Sequence, residues 1–190
     1  MAATRDQFID TACDLLECQG FHATGLNQII KESGAPKGSL YYYFPQGKDE
    51  LAEAAIARAG AATAQRIEAS LSASDDPAEA VSAFVAAIAH HVEATDYRSG
   101  GPLMTIAMET AATNERLNLA CRAAYQRFQD AFEGKLIASG FDRERAAALA
   151  TFILASIEGG IVLSRTYHSG DSLRRVAAEL GVLLRTASRE

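Results

Sequence analysis

Ile29-Ile30-Lys31-Glu32-Ser33-Gly34-Ala35-Pro36-Lys37-Gly38-Ser39-Leu40-Tyr41-Tyr42-Tyr43-Phe44 is the stretch that decides the fold. A short helix carrying Leu26, Ile29 and Ile30 on one side stops near Ser33-Gly34, and a tight Gly34-Ala35-Pro36 turn follows. A further helix is expected over Lys37 to Phe44, and Pro36 does not prevent it, since proline is tolerated at a first helical position. Two turns do not repay helix nucleation, so this segment must be held by its neighbours. Upstream, Phe8, Ala12, Leu15 and Leu16 form one apolar stripe, with Thr4 and Gln7 as a capping box at its start and Gly20 as the stop before Phe21. Thr24 is the expected cap of the second helix. Two short helices across a glycine-bearing turn, braced by a third, make a helix-turn-helix layout, in which the later helix enters a DNA major groove.

Downstream, Pro45-Gln46-Gly47 breaks the chain, and a longer, alanine-rich helix is expected from Lys48 toward Leu71. Ser72 to Pro77 is a polar bend. Five further helices are expected over Ala78 to Thr95, Pro102 to Thr113, Glu115 to Ser139, Arg143 to Tyr167 and Ser172 to Ala187, with the short breaks that helix bundles use. The fold class is all-α: a helix-turn-helix head over residues 1–47 and a larger helical body over 48–190.

Composition agrees and narrows the function. With 190 residues, 48% hydrophobic and 22% charged side chains, the chain suits a packed globular protein rather than a disordered one. Its 18 basic and 24 acidic residues give a formal charge of -6, which excludes a generally basic nucleic-acid coat but not a local basic reading head. Residues 1–48 hold 4 basic and 5 acidic side chains, yet Lys31, Lys37 and Lys48 face only Glu32 between positions 31 and 48. Three cysteines, Cys13, Cys18 and Cys121, have no scaffold spacing and point to a reduced, cytoplasmic setting. The start carries no apolar signal core, and the apolar run Ala146 to Ile157, ended by Glu158, is shorter than the ~20 residues of a membrane span. No membrane association is expected.

The residue types of the head suit duplex DNA. Lys37 and Ser39 open the third helix, where side chains and amides reach bases or phosphates, and Gly38 lets DNA come close. Tyr41, Tyr42 and Tyr43 lie on consecutive faces, so one or two are left exposed for phosphate and sugar contact, and Tyr43 is open between core and DNA. Lys48 adds a charge-assisted phosphate contact. Arg5 is either an arm toward a groove or an ordinary surface charge.

These residues resemble the tetracycline-repressor (TetR) family of bacterial transcription regulators. The likeness lies in Phe21-His22-Ala23-Thr24, Ile29 to Gly34, Gly34 to Phe44 and Lys48-Asp49-Glu50-Leu51, about the first quarter of the chain. An extra residue in Phe44-Pro45-Gln46-Gly47-Lys48, together with Gly100-Gly101-Pro102-Leu103, resembles the LmrA/YxaF-like subgroup. The resemblance implies a homodimer whose heads read a palindromic operator, usually repressing a gene until a small-molecule effector binds the body. It implies DNA contact by Thr24, Lys37, Gly38, Tyr41, Tyr42 and Lys48, and head-core places for Leu40 and Phe44. Pro36 stands where a serine often opens the third helix, removing one phosphate contact, and Gly101 stands where many subgroup members carry cysteine.

In the body, Phe84, Ile88, Met104, Ile106, Met108, Phe128, Phe132, Phe152 and Ile153 are candidates for the interior. Of these, Ile88, Met104, Met108, Phe128 and Phe152 are also candidate ligand-lining positions. Met104 and Met108 lie one turn apart, and flexible thioethers line adaptable pockets as readily as they fill cores. His91, Glu109 and Tyr125, with Arg122 nearby, would orient a guest in such a pocket. Glu109 is open between a buried group that recognises an effector and a surface carboxylate. Cys121 reads as a small core residue. Ala155, Ser156, Gly159 and Gly160, flanked by Ile161, Val162 and Leu163, permit close helix approach, either within the chain or to a twofold mate, as the resemblance implies.

Enzymatic chemistry finds no support. Gly47-Lys48 lacks the following Ser or Thr of a phosphate loop, His90-His91-Val92-Glu93 lacks zinc-protease spacing, and no nucleophile elbow occurs. No catalytic residue, metal site or cofactor is therefore assigned. The remaining rival is a helical adaptor that binds protein without DNA.

Overall fold

The computed structural model describes residues 2–187, and among them it contains helices and no strand. The helices are α1 (Ala2–Ala23), α2 (Leu26–Ser33), α3 (Lys37–Tyr43), α4 (Lys48–Leu71), α5 (Pro77–Ala94), α6 (Met104–Thr110), α7 (Glu115–Ala138), α8 (Arg143–Tyr167) and α9 (Asp171–Ala187). They fall into two compact units, one comprising the chain up to Ala62 with Gly101–Tyr125, the other Thr63–Gly100 with the chain from Gln126.

The first unit is larger than the expected 47-residue head because α1 is clasped from both ends of its outer surface. α6 packs on it, Arg58 of α4 pairs with Asp6 and with Asp10 (2.6 Å), and the Cys13 thiol donates to the Ala55 carbonyl at 3.4 Å. Phe8, Ile9, Ala12, Leu15 and Leu16 of α1 close over Ile29, Leu40, Phe44 and Leu51, all buried, so the periodic apolar stripe does form the core. Two local expectations change. The first helix already starts at Ala2, so Thr4 lies inside it and is not its cap. Gly25, in extended conformation, caps α2 with no side-chain bond, because the Thr24 hydroxyl is turned back to donate to the Gly20 carbonyl at 2.6 Å.

In the second unit, α5, α8 and α9 pack on one another. Val81, Val85, Ala89 and Val92 meet a core that includes Ile153, Ile157, Ile161, Leu173, Leu180 and Leu184. Asp76 caps α5 by accepting from the Ala78 N–H at 2.9 Å, and Asp142 caps α8 by accepting from Arg145 N–H at 3.0 Å. The small residues of α8 divide by role. A methyl at Gly160 would meet Leu173 Cδ2 at 2.8 Å, so this glycine serves packing within the chain, whereas Gly159 has nothing within 4 Å. Helix α8 has the expected bounds, but its apolar character does not end at Glu158. By length and hydropathy alone the helix is apolar enough to cross a membrane, with 44% of its most apolar stretch buried in the protein. Part of that apolarity is core. The rest is a solvent-facing stripe of Phe152 (54% exposed), Val162, Leu163 and Tyr167, continued on α9 by Val182.

Candidate nucleic-acid interface

Helix α3 has one face for the head and one for solvent. Leu40 and Phe44, four residues apart, are buried, and Tyr43 is half-buried against Tyr42 in an edge-to-face pair with ring centroids 5.1 Å apart. Lys37, Gly38, Tyr41 and Tyr42, at the i, i+1, i+4, i+5 spacing of a single face, are exposed. Tyr42 is the extreme case at 75%. A methyl built on Gly38 meets nothing within 4 Å, so the backbone of the first turn is open to a close approach. Ser39 is half-buried at the side of this face. Gly34 is left-handed at φ 65° and separates α2 from α3 without a side-chain penalty.

This face can bind an anionic polymer that also offers flat sugar surfaces. Lys37 supplies a mobile point charge, the two phenols supply hydroxyl donors and rings, and the bare Gly38 lets a phosphate reach main-chain amides. Lys31 adds an exposed cation at the end of α2. Lys48, at the start of α4, is held rather than free: its ammonium lies 4.1 Å from the centre of the Phe21 ring. Burial pulls its pKa below the ordinary lysine value, opposed by the carboxylates of Asp49 and Glu109. Arg5 lies with its guanidinium carbon 5.4 Å from the centre of the Phe44 ring, on the aromatic core of the head.

Thr24 departs from the expected set of contacts. It is only 1% exposed, and its hydroxyl, bonded to the Gly20 carbonyl, also accepts from Gln19 Nε2 at 3.3 Å. The side chain braces the α1–α2 junction and does not face solvent.

The eight expected ligand-lining residues divide between the two units. Met104, Met108, Glu109 and Tyr125 belong to the first unit, and Ile88, His91, Phe128 and Phe152 to the second. Met108 is 79% exposed, so the two thioethers do not share an enclosure, and Met104 is half-buried. Glu109 is neither a buried ligand anchor nor an idle surface carboxylate. Its Oε2 accepts the N–H of Phe21 at 2.6 Å and that of His22 at 3.1 Å. His91 is exposed and shares a 2.9 Å hydrogen bond with Ser99. Phe128 is buried, Ile88 and Tyr125 are half-buried, and Phe152 stands on the exposed α8 stripe, bordering a shallow cavity of about 370 Å³ with Ser156, Val176 and Leu183. The sequence did not single out Arg116, Asn114 or Gln46, whose partners lie 63 to 70 residues away along the chain. No periodicity carries such a signal.

Comparison with known proteins accords with this geometry. Residues 8–55 match the model of bacterial regulatory proteins of the tetR family, and residues 77–179 match the C-terminal domain of LmrA/YxaF-like transcriptional regulators. The chain is 42% identical over 182 residues to the uncharacterized HTH-type transcriptional regulator YxaF of Bacillus subtilis, covering 96% of this chain and 95% of that protein. It is 39% identical to the HTH-type transcriptional regulator LmrA of the same organism, covering 96% and 97%. A TetR transcriptional regulator from Chloroflexus aurantiacus, 23% identical, shares the fold with a TM-score of 0.80 over 96% of this chain and 94% of that one. A helix-turn-helix head with an exposed cationic and phenolic face, joined to a body of this type, makes the chain a member of the TetR family of DNA-binding transcriptional regulators, with an LmrA/YxaF-like C-terminal domain and a non-enzymatic role.

Proposed function

We propose that this regulator is a repressor, a homodimer that occupies a palindromic operator and leaves it when a small molecule binds the helical body. The observation that carries the reading is the exposed quartet of Lys37, Gly38, Tyr41 and Tyr42 on a helix whose opposite face is buried. Lys37, Gly38, Ser39, Tyr41, Tyr42 and Lys48 make the DNA contacts, mostly to the backbone, and Thr24 supports them from beneath. The apolar stripe of Phe152, Val162, Leu163, Tyr167 and Val182 supports self-association, since an exposed row of this kind on paired helices calls for a partner surface. A protein of this description works in the cytoplasm.

Two recognition helices enter successive major grooves when they are about 34 to 36 Å apart. An effector that favours another separation lowers operator affinity only through its differential affinity for the two states, and several kcal/mol of such preference is needed for a full switch. Ile88 and Phe128 in one unit and Met104 and Tyr125 in the other are the positions at which effector response is to be probed, each unit by itself.

Transcript levels beside the bound site test the sign of regulation. Deleting the gene for this regulator raises them if it represses. A fall on deletion makes it an activator.

A further inference from the structure

Three polar side chains on the segment that ends α6 and opens α7 reach to the head and to the start of α4, each at a different point. Glu109 Oε2 takes the two adjacent amides of Phe21 and His22, at the place where Gly20 (φ 80°, ψ -179°) breaks α1. Asn114 Nδ2 donates to Asp49 Oδ2 at 2.8 Å in the first turn of α4, while its Oδ1 caps α7 by accepting from Leu117 N–H at 3.1 Å. Arg116 donates from Nε to Glu53 Oε2 at 2.7 Å and from Nη1 to the side-chain carbonyl of Gln46. Gln46 sits in the turn between α3 and α4, and its own N–H is held by Glu50 Oε2 at 2.9 Å.

These contacts surround α3 without touching its exposed face. The α1–α2 junction before it and the α3–α4 turn after it are both fastened to one corner, so α3 has little freedom to pivot independently of α6 and α7. The Glu109 site is built for close contact: a methyl at Gly20 would lie 2.6 Å from Glu109 Oε1 and 2.8 Å from Thr105 Cγ2. Charge-assisted bonds from a carboxylate to main-chain amides are among the stronger hydrogen bonds. We propose that the α6–α7 corner is a bracket whose Glu109, Asn114 and Arg116 set the pose of the DNA-reading helix without contacting DNA. The inference rests on the proposed reading of a palindrome. It makes these three side chains positioning residues for half-site spacing.

The test uses a palindromic duplex enriched from a random pool by the parent protein, the same duplex lengthened by one base pair at its centre, and a single half-site. The parent is expected to bind the enriched spacing at least tenfold tighter than the lengthened one. Glu109→Ala and Arg116→Ala are expected to reduce that ratio at least threefold while leaving half-site affinity unchanged. Glu109→Gln, which keeps the accepting oxygen but not its charge, is expected to retain a ratio between those of the parent and Glu109→Ala, since both amides are accepted by one oxygen. Should Glu109→Ala fail to fold, Arg116→Ala carries the same comparison, since its Gln46 partner is exposed. Alanine variants that discriminate spacing as the parent does, or Glu109→Gln losing discrimination as Glu109→Ala does, would overturn the bracket and leave the DNA reading intact. A parent that enriches no duplex refutes both.

Discussion

Lys48 holds its ammonium 4.1 Å from the centre of the Phe21 ring, so the lysine expected to meet a phosphate is already placed by the aromatic residue that follows the α1 break. Its stem and charge therefore do separable things. Lys48→Met keeps the packing and removes the charge. It is expected to reduce the slope of log affinity against log salt by about one unit per head, with stability changed by about 1–2 kcal/mol, as for a partly desolvated cation–π contact. Anisotropy titrations at several salt concentrations, paired with urea unfolding, separate the two effects.

Gly20 is placed where two requirements coincide. Its φ of 80° with ψ of -179° belongs to a region essentially confined to glycine, and Glu109 and Thr105 occupy the space a methyl would need. Gly20→Ala is expected to destabilise the protein by roughly 1–3 kcal/mol from backbone strain, plus the displacement of Glu109. Urea unfolding monitored by circular dichroism reads it directly. A variant as stable as the parent would show that this conformation is not held.

The α8–α9 stripe makes a separate prediction. Leu163, 45% exposed, has the exposure of a surface residue and the chemistry of a core one. Leu163→Glu is expected to shift the protein from dimer to monomer in sedimentation velocity and to weaken palindrome binding while sparing a half-site. A variant that remains dimeric removes this stripe from the interface.

Much of this was legible in the sequence because it is local. Gly34 and Pro36 bounded α3, the break at Pro45-Gln46-Gly47 started α4 at Lys48, and the spacing of Phe8, Ala12, Leu15 and Leu16 announced the buried face of α1. Local rules failed where a distant group took over a polar side chain. Thr24 looks like a helix cap, but the kink at Gly20 offers its hydroxyl a carbonyl, and Gly25 takes the cap position. Glu109 looked open between ligand anchor and surface charge because the amides it accepts are 87 and 88 residues away. Phe152 matched a core pattern by composition alone, and only the packing of α8 on α9 showed which side of the helix remained bare.

Two thiols confer a pH dependence. Burial pushes the Cys13 and Cys121 pKa values from 9.0 up to about 11, whereas Cys18 is exposed. Because the folded pKa is the higher one, the stabilisation is fully present below pH 9 and is lost as pH rises from about 9 to 11, where only the unfolded chain sheds these protons. Stability is expected to decline over that window, and less steeply in a Cys13→Ala/Cys121→Ala variant. In the folded parent at neutral pH a maleimide should label Cys18 first, as mass spectrometry of digested protein would show.

The central claim is that the α3 face of Lys37, Gly38, Tyr41 and Tyr42 meets the phosphates of duplex DNA, and Lys37 tests it most directly because its side chain is exposed. The measurement is the salt dependence of binding to the enriched palindrome, parent against Lys37→Ala. Weaker binding at every salt concentration, with a slope lower by about one unit per head, is the predicted result. Superimposable curves for the two proteins would contradict it.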